Sequence, residues 1–135
     1  MSRSARWTLI ILCVCALPVM AQERDRYDRD RRGDRRDRIA EDASRLAAEL
    51  HDLQYERVRF EPGVWRSSAN EAMALANRLY DEAGGRPEAN EIRLRIRRLR
   101  SEVGRGDYDD ARRIAADTMP FVHRLSEWAR RDERR

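Results

Sequence analysis

Residues 43–52 read ASRLAAELHD, and residues 72–81 read AMALANRLYD. Both segments place alanine or leucine at positions i, i+3, i+4 and i+7, which puts these side chains on one face of a helix. Alanine lets two helix backbones approach closely, and leucine fills the space that remains. The two segments therefore predict two amphipathic helices with the same packing, which is typical either of a duplication or of one packing solution used twice.

The apolar pattern begins at Ile39 and is interrupted by residues 61–63 (Glu-Pro-Gly). A second helix follows this break. Ser68 and Glu71 have the spacing of a capping box, in which the hydroxyl and the carboxylate satisfy free backbone N–H groups at a helix start. Two glycines at residues 84–85 end the pattern. These signals predict that the first helix ends before residue 61 and the second before residue 84.

Two more helices are predicted in the C-terminal half. Pro87 suits the first turn of a third helix, and Gly104 closes it. Isoleucine, leucine and arginine alternate over residues 92–97 as in a strand, but one isolated strand would have no pairing partner, so a helix is favoured. Asp107 can cap a fourth helix. Pro120 falls inside this helix and should kink or split it, because proline removes a backbone donor.

These elements predict an all-α fold, namely a small antiparallel bundle of about four helices. The bundle is expected to bury the apolar residues of its four helices. The predicted core consists of Leu46, Leu50, Leu53, Ala72, Leu75, Leu79, Ile92, Ile96, Leu99, Ala115, Val122 and Trp128.

The first 21 residues have the features of a signal peptide. Arg3 and Arg6 precede an apolar run over residues 7–20, and Ala21 ends a small-residue cleavage site. The run is shorter than the roughly 20 apolar residues that a membrane-spanning helix needs. We therefore expect cleavage near Ala21, export to the periplasm or the extracellular space, and no transmembrane helix in the mature chain. Both cysteines lie in the leader, so the mature chain would contain neither disulfides nor thiols.

The expected organisation is a signal peptide over residues 1–21, a disordered charged arm over 22–38, a helical bundle over 39–130 and a charged tail over 131–135. All 29 basic residues are arginine. Without the leader, 27 arginines face 25 acidic residues, so the mature chain is nearly neutral. This balance argues against non-specific nucleic-acid binding, whose affinity grows with the number of phosphates neutralised, and specific nucleic-acid binding is not expected either.

The arm is of low complexity, since residues 23–38 contain eight arginines, six acidic residues and one tyrosine. Such a segment cannot bury enough apolar surface to offset the entropy lost on ordering, so we expect it to be disordered or transiently helical. It is typical of a solvated spacer. The alternative is an electrostatic tether to anionic lipid or polysaccharide.

The densest basic feature of the bundle lies in residues 93–100, where Arg93, Arg97 and Arg100 share one helical face. One interpretation is a solvated face paired with carboxylates of a neighbouring helix, such as Glu71 or Asp81. The other is a binding surface for an acidic protein, an anionic lipid or an envelope polymer, since guanidinium grips carboxylate or phosphate through paired hydrogen bonds.

No catalytic constellation, cofactor motif or metal site is expected. His51 is expected at a half-buried amphipathic position, and His123 at the surface or in the core; a zinc site would need three or four converging ligands. The sequence therefore favours an exported, non-enzymatic binding or envelope-associated protein. The alternatives are a periplasmic chaperone or stress-type helical protein and, less favoured, a small hydrolase or metalloprotein.

Overall fold

Four α-helices make up the described part of the protein. The computed structural model describes the backbone of residues 4–55 and 61–131, and the side chains of residues 25–55 and 61–131. Within these ranges there is no β-strand, so the all-helical prediction is confirmed. Nor does any helix in them have the length and apolar character needed to cross a membrane. The helices are α1 Ser4–Gln54, α2 Pro62–Glu82, α3 Pro87–Arg105 and α4 Tyr108–Arg130.

The chain divides into two units, Met1–Asp34 and Arg35–Arg135. The predicted signal peptide lies outside the residues whose side chains the structure describes, and it stays a prediction. Four residues of the predicted tail, 132–135, also lie outside the described part. In the first unit the described side chains are all exposed. One of them, the Arg31 guanidinium, donates to the Tyr27 hydroxyl at 2.9 Å and lies 4.5 Å from the centre of that ring.

Residues 25–38 are helical, whereas their composition predicts disorder or a transient helix. Two physical reasons account for the difference. Arginine is a good helix former, and extending an existing helix costs far less free energy than starting one. The part of α1 that begins at Ile39 is packed in the bundle and supplies the existing turns. In addition, Arg35 and Arg38, which the sequence assigned to the arm, contact Asp81 and Glu82 of α2.

Two predicted helix ends are wrong. α2 begins at Pro62, so Ser68 and Glu71 lie inside the helix and form no capping box. Proline suits this first position because its missing N–H would have no helical partner there. α3 continues through Gly104 and ends at Gly106, whose φ of 78° lies in the left-handed region that glycine adopts without strain.

The start of α4 is confirmed, because the Asp107 carboxylate accepts a hydrogen bond from the backbone N–H of Asp110 at 3.1 Å. The helix then continues through Pro120, so the split that we considered does not occur. Ile114 before the proline and Val122 after it are both buried in the same core. Packing therefore holds both halves of α4 in one helix despite the missing backbone donor.

The core forms as predicted with one exception. Eleven of the twelve predicted residues are at most 1% exposed. Trp128 is instead half-buried at the edge of the core, where the guanidiniums of Arg36 and Arg86 lie 4.9 and 4.2 Å from the centre of its ring. Trp65, for which the sequence allowed either a core or an interface role, is 1% exposed and belongs to the core.

An ion pair links α1 to α2. The Arg78 guanidinium donates from Nε and Nη2 to the two carboxylate oxygens of Asp42, each at 2.9 Å. Arg38 lies 3.4 Å from Glu82. Because the residue numbers rise along α1 while they fall along α2, the two helices are antiparallel.

α1 and α3 lie diagonally across the bundle. α1 contacts α2 through the ion pairs just described and α4 through Ser44, whose hydroxyl accepts a hydrogen bond from Arg130 at 3.2 Å. α3 packs against α2 and α4. The solvent-facing sides of α1 and α3 therefore point in opposite directions.

Candidate anion-binding surface

Three arginines of α3 that lie outside its buried stripe are exposed to solvent. They are Arg97, Arg98 and Arg100, which we call the guanidinium face. Ile96 and Leu99 are fully buried and fix the rotation of the helix. With that rotation fixed, the helical period turns the three arginines toward solvent.

None of these three guanidiniums forms a hydrogen bond or an ion pair with any residue in the described part of the chain. Neither of the carboxylates that we considered as partners, Glu71 and Asp81, forms an ion pair with these arginines. Glu71 lies two helical turns before Arg78, so the helical period puts it on the same side of α2 as Arg78, which faces α1. Asp81 accepts a hydrogen bond from Arg35 through its backbone carbonyl, at 3.3 Å. The pairing expected from the sequence is therefore absent from the described residues.

Arg93 does not share the environment of Arg97 and Arg100. It is half-buried, and its guanidinium lies 3.6 Å from the centre of the Tyr80 ring of α2. Its Nη2 atom donates to the Asn90 side chain at 3.4 Å. Arg93 therefore contributes to packing between α2 and α3, and of the three predicted residues the structure leaves two with free guanidiniums.

Arg98 is the residue that sequence reasoning left out. It was omitted because it does not have the helical spacing that relates Arg93 to Arg97 and Arg100. Leu94, one turn before Arg98, is 47% exposed. The solvent-facing side of α3 is therefore broad enough to include Arg98. A wider criterion, counting every arginine outside the buried stripe, would have found it.

Other arginines cover aromatic rings where helices meet. Arg95 and Arg124 lie 4.7 and 4.5 Å from the centre of the Phe121 ring. Arg95 also pairs with Glu91 at 2.8 Å. A guanidinium over a ring face is attracted by the negative charge of the π system. These arginines are engaged within the bundle, which distinguishes them from the guanidinium face.

Three carboxylates meet at the turn between α3 and α4. Oxygen atoms of Glu102, Asp107 and Asp110 lie within 4.8 Å of one another, and such oxygens suit a hard cation. Each carboxylate already has a partner, however. Glu102 lies 3.4 Å from Arg105, Asp110 pairs with Arg113, and Asp107 caps α4. The group is thus accounted for by the ends of the two helices.

The two histidines lie apart from this acidic group. The side chain of His51 is 61% exposed, and its ring centre lies 4.5 Å from that of Tyr55. The expectation of a half-buried His51 is therefore wrong, because the residue falls on the solvent side of the helix next to buried Leu50. His123 is exposed on α4.

Glu88 places a negative charge at the N-terminal end of α3. A hydrogen bond to its own backbone N–H lowers the pKa of this carboxyl, burial opposes the shift, and the nearby Arg86 guanidinium lowers the pKa further. Arg86 Nε lies 3.3 Å from the carboxylate. The charge of Glu88 is thus neutralised by Arg86, away from the guanidinium face.

Comparison of the chain with protein-family models, curated proteins and solved structures gave no match. In the described part of the chain, the carboxylates at the turn between α3 and α4 and the guanidinium face both have recognisable ligand chemistry. The carboxylates at the turn between α3 and α4 have partners, whereas the guanidinium face has none. The guanidinium face is therefore the candidate functional site.

Proposed function

We propose that this chain is an exported, non-enzymatic binding protein that holds anionic groups of an envelope partner on the guanidinium face of α3. The observation that carries the proposal is the presence on α3 of three exposed guanidiniums without an ion-pair partner among the described residues, two of which, Arg97 and Arg100, share one helical face. Elsewhere in the bundle, arginines such as Arg78, Arg93 and Arg95 are engaged by carboxylates or rings.

The chemistry of guanidinium suits this role. It stays charged at any physiological pH and presents a planar set of donors that matches the oxygens of a carboxylate or phosphate. Because the three groups already face solvent, an incoming anion does not have to displace an internal partner. Binding of this kind is electrostatic, so it weakens as salt shortens the distance over which charges interact.

The chaperone alternative has less support. Holding unfolded clients requires a contiguous exposed apolar surface. Among the described residues, the large apolar side chains with high exposure are Tyr27, Tyr55, Val64 and Leu94, which are spread over three helices and a helix end. Single residues of this kind are normal on a protein surface.

The binding role is tested by retention on phosphocellulose, a polymer that carries phosphate groups. The double substitution Arg97→Gln/Arg100→Gln should elute at a lower salt concentration than the wild type. The matched control is Arg113→Gln/Arg131→Gln, which removes the same charge from exposed positions on α4 and at its end. Equal elution of the two variants would show that only net charge matters and would contradict the proposal.

The export step is tested separately. The leader predicts that the protein recovered from the envelope fraction begins near Gln22, which N-terminal sequencing or intact-mass measurement can establish. Recovery of the protein only in the cytoplasm with its leader intact would contradict export.

A further inference from the structure

The outer side of α1 carries charges opposite to those of the guanidinium face. Ile39, Leu46 and Leu50 form the buried side of α1. Four carboxylates lie outside this buried side. We call this set the acidic face of α1; it consists of Asp37, Glu41, Glu49 and Asp52, of which Glu49 is half-buried and the others are exposed.

The carboxylates of the acidic face are largely free. Asp37, Glu41 and Glu49 form no ion pair with any residue that the structure describes, and Asp52 lies 3.8 Å from a ring nitrogen of His51. Arg45 lies on the same side of α1, four residues after Glu41, so this side of the helix has a net charge of about −3. The three arginines of the guanidinium face carry +3.

The spacing of the charges also matches. Asp37 and Glu41 are four residues apart on α1, and Arg97 and Arg100 are three residues apart on α3. Both separations place the two side chains about 5–6 Å apart on one helix face. Two carboxylates one turn apart can therefore face two guanidiniums one turn apart when two helices lie side by side.

Net charge does not oppose contact between copies. From residue 39 onward the chain contains 19 arginines and 19 acidic residues. The bundle is thus close to neutral, while the guanidinium face and the acidic face lie on different helices, α3 and α1. A protein with this arrangement attracts a second copy when unlike faces meet and is not repelled by its overall charge.

We infer that the partner of the guanidinium face is a second copy of this chain, with Arg97 and Arg100 pairing with Asp37 and Glu41 of the neighbour. The inference rests on the proposed function, because it uses the same face and names its partner. The two faces point in opposite directions, so each copy uses one face on one neighbour and the other face on another. Such a head-to-tail contact builds a ring or an open chain instead of a closed dimer.

The association should be weak and dependent on salt. Exposed ion pairs contribute little individually, because both groups are solvated and the side chains lose freedom on pairing. Raising the salt concentration from 20 to 500 mM should lower the association constant at least about tenfold, since charge interactions then extend only a few ångströms.

The experiment is a charge swap followed by sedimentation equilibrium at low salt. Arg97→Glu/Arg100→Glu replaces the two guanidiniums of the contact by carboxylates, and Asp37→Arg/Glu41→Arg replaces its two carboxylates by guanidiniums. Each variant alone should therefore sediment as a monomer at concentrations at which the wild type associates. An equimolar mixture should associate again, because the first variant keeps the native acidic face and the second keeps the native guanidinium face. Arg113→Glu/Arg131→Glu is the matched control and should associate like the wild type.

Two results would overturn the inference: a wild type that stays monomeric at low salt, or a mixture that stays monomeric. All the substituted side chains are exposed, and thermal melts establish that each variant is folded. Should a reversed variant fail to fold, the milder Arg97→Gln/Arg100→Gln and Asp37→Asn/Glu41→Asn provide the same comparison, with reduced association expected for each alone. Reduced phosphocellulose retention of Arg97→Gln/Arg100→Gln without any self-association would refute this inference and leave the proposed function standing; unchanged retention would refute the proposed function itself.

Discussion

Replacement of Arg78 by alanine should destabilise the bundle more than replacement of its partner Asp42. The Asp42 side chain is only 11% exposed and receives two hydrogen bonds of 2.9 Å, whereas the Arg78 side chain is 49% exposed. Arg78→Ala therefore leaves a nearly buried carboxylate without its donors. Asp42→Ala leaves a guanidinium that water can solvate. The asymmetry follows from which partner is buried.

The magnitudes can be estimated from these exposures. Removing one partner of a fully buried ion pair costs about 3–5 kcal/mol, and a hydrogen bond to a charged group contributes about 1.5–3 kcal/mol. Because Asp42 keeps slight access to water, we expect Arg78→Ala to lower the free energy of unfolding by about 3 kcal/mol. We expect Asp42→Ala to lower the free energy of unfolding by about 1 kcal/mol, which is near the upper limit for an exposed ion pair.

Thermal unfolding followed by circular dichroism, together with urea titration, measures both variants. For a domain near 100 residues, 1 kcal/mol corresponds to roughly 4–8 °C in Tm, so Arg78→Ala should melt at least roughly 12 °C below the wild type and Asp42→Ala roughly 4–8 °C below it. The control Arg113→Ala, at an exposed intrahelical pair, should change stability by less than about 0.5 kcal/mol. A loss for Asp42→Ala equal to or larger than that for Arg78→Ala would refute the reasoning.

Three further changes probe the core, a helix cap and a shifted carboxyl. Leu50→Asp places an unpaired charge at a fully buried position and should abolish cooperative unfolding in thermal melts; a melt like that of the wild type would refute the core assignment. Asp107→Ala removes the 3.1 Å cap of α4 and should lower the free energy of unfolding in urea by about 1 kcal/mol, with Asp107→Asn close to the wild type; equal losses for both would contradict the cap. The lowered pKa of Glu88 means that its charge stabilises the fold above the ordinary carboxyl pKa of about 4.3 and that this contribution is lost as the pH falls through the lower folded value. The difference in free energy of unfolding between wild type and Glu88→Gln should therefore be largest near pH 7 and should narrow toward pH 3. A difference that does not change with pH would contradict a stabilising role of the Glu88 charge.

The core could be predicted from the sequence because burial follows the helical period. Leu46, Leu50 and Ile96 each belong to a stripe with i, i+3 and i+4 spacing, and each is fully buried. The end of α3 could not be fixed in the same way, because Gly104 and Gly106 satisfy the same sequence rule. The choice depends on which glycine takes a left-handed φ and on the two hydrogen bonds that then close the helix end.

The candidate site was only partly accessible to sequence reasoning, for a different reason. Helical spacing correctly places Arg93, Arg97 and Arg100 outside the buried stripe. It does not reveal that Tyr80 of the neighbouring helix lies under the Arg93 guanidinium at 3.6 Å. Whether an arginine is free depends on what the adjacent helix presents to it, and this is set by packing between helices. The same applies to Arg98, which the spacing rule omitted and the structure leaves exposed.

The near-neutral composition is compatible with electrostatic binding once the positions of the charges are known. A net charge near zero argues against non-specific attraction to polyanions at long range. Within a few ångströms of the surface, however, the local arrangement decides the interaction, because salt screens more distant charges. Arginines such as Arg78 and Arg95 are paired within the bundle. Among the described groups without an ion-pair partner, Arg97, Arg98 and Arg100 lie on α3, and the carboxylates Asp37, Glu41 and Glu49 lie on α1. A bundle with no net charge from residue 39 onward thus retains charged surfaces, and the phosphocellulose and charge-swap experiments measure these surfaces and not the net charge.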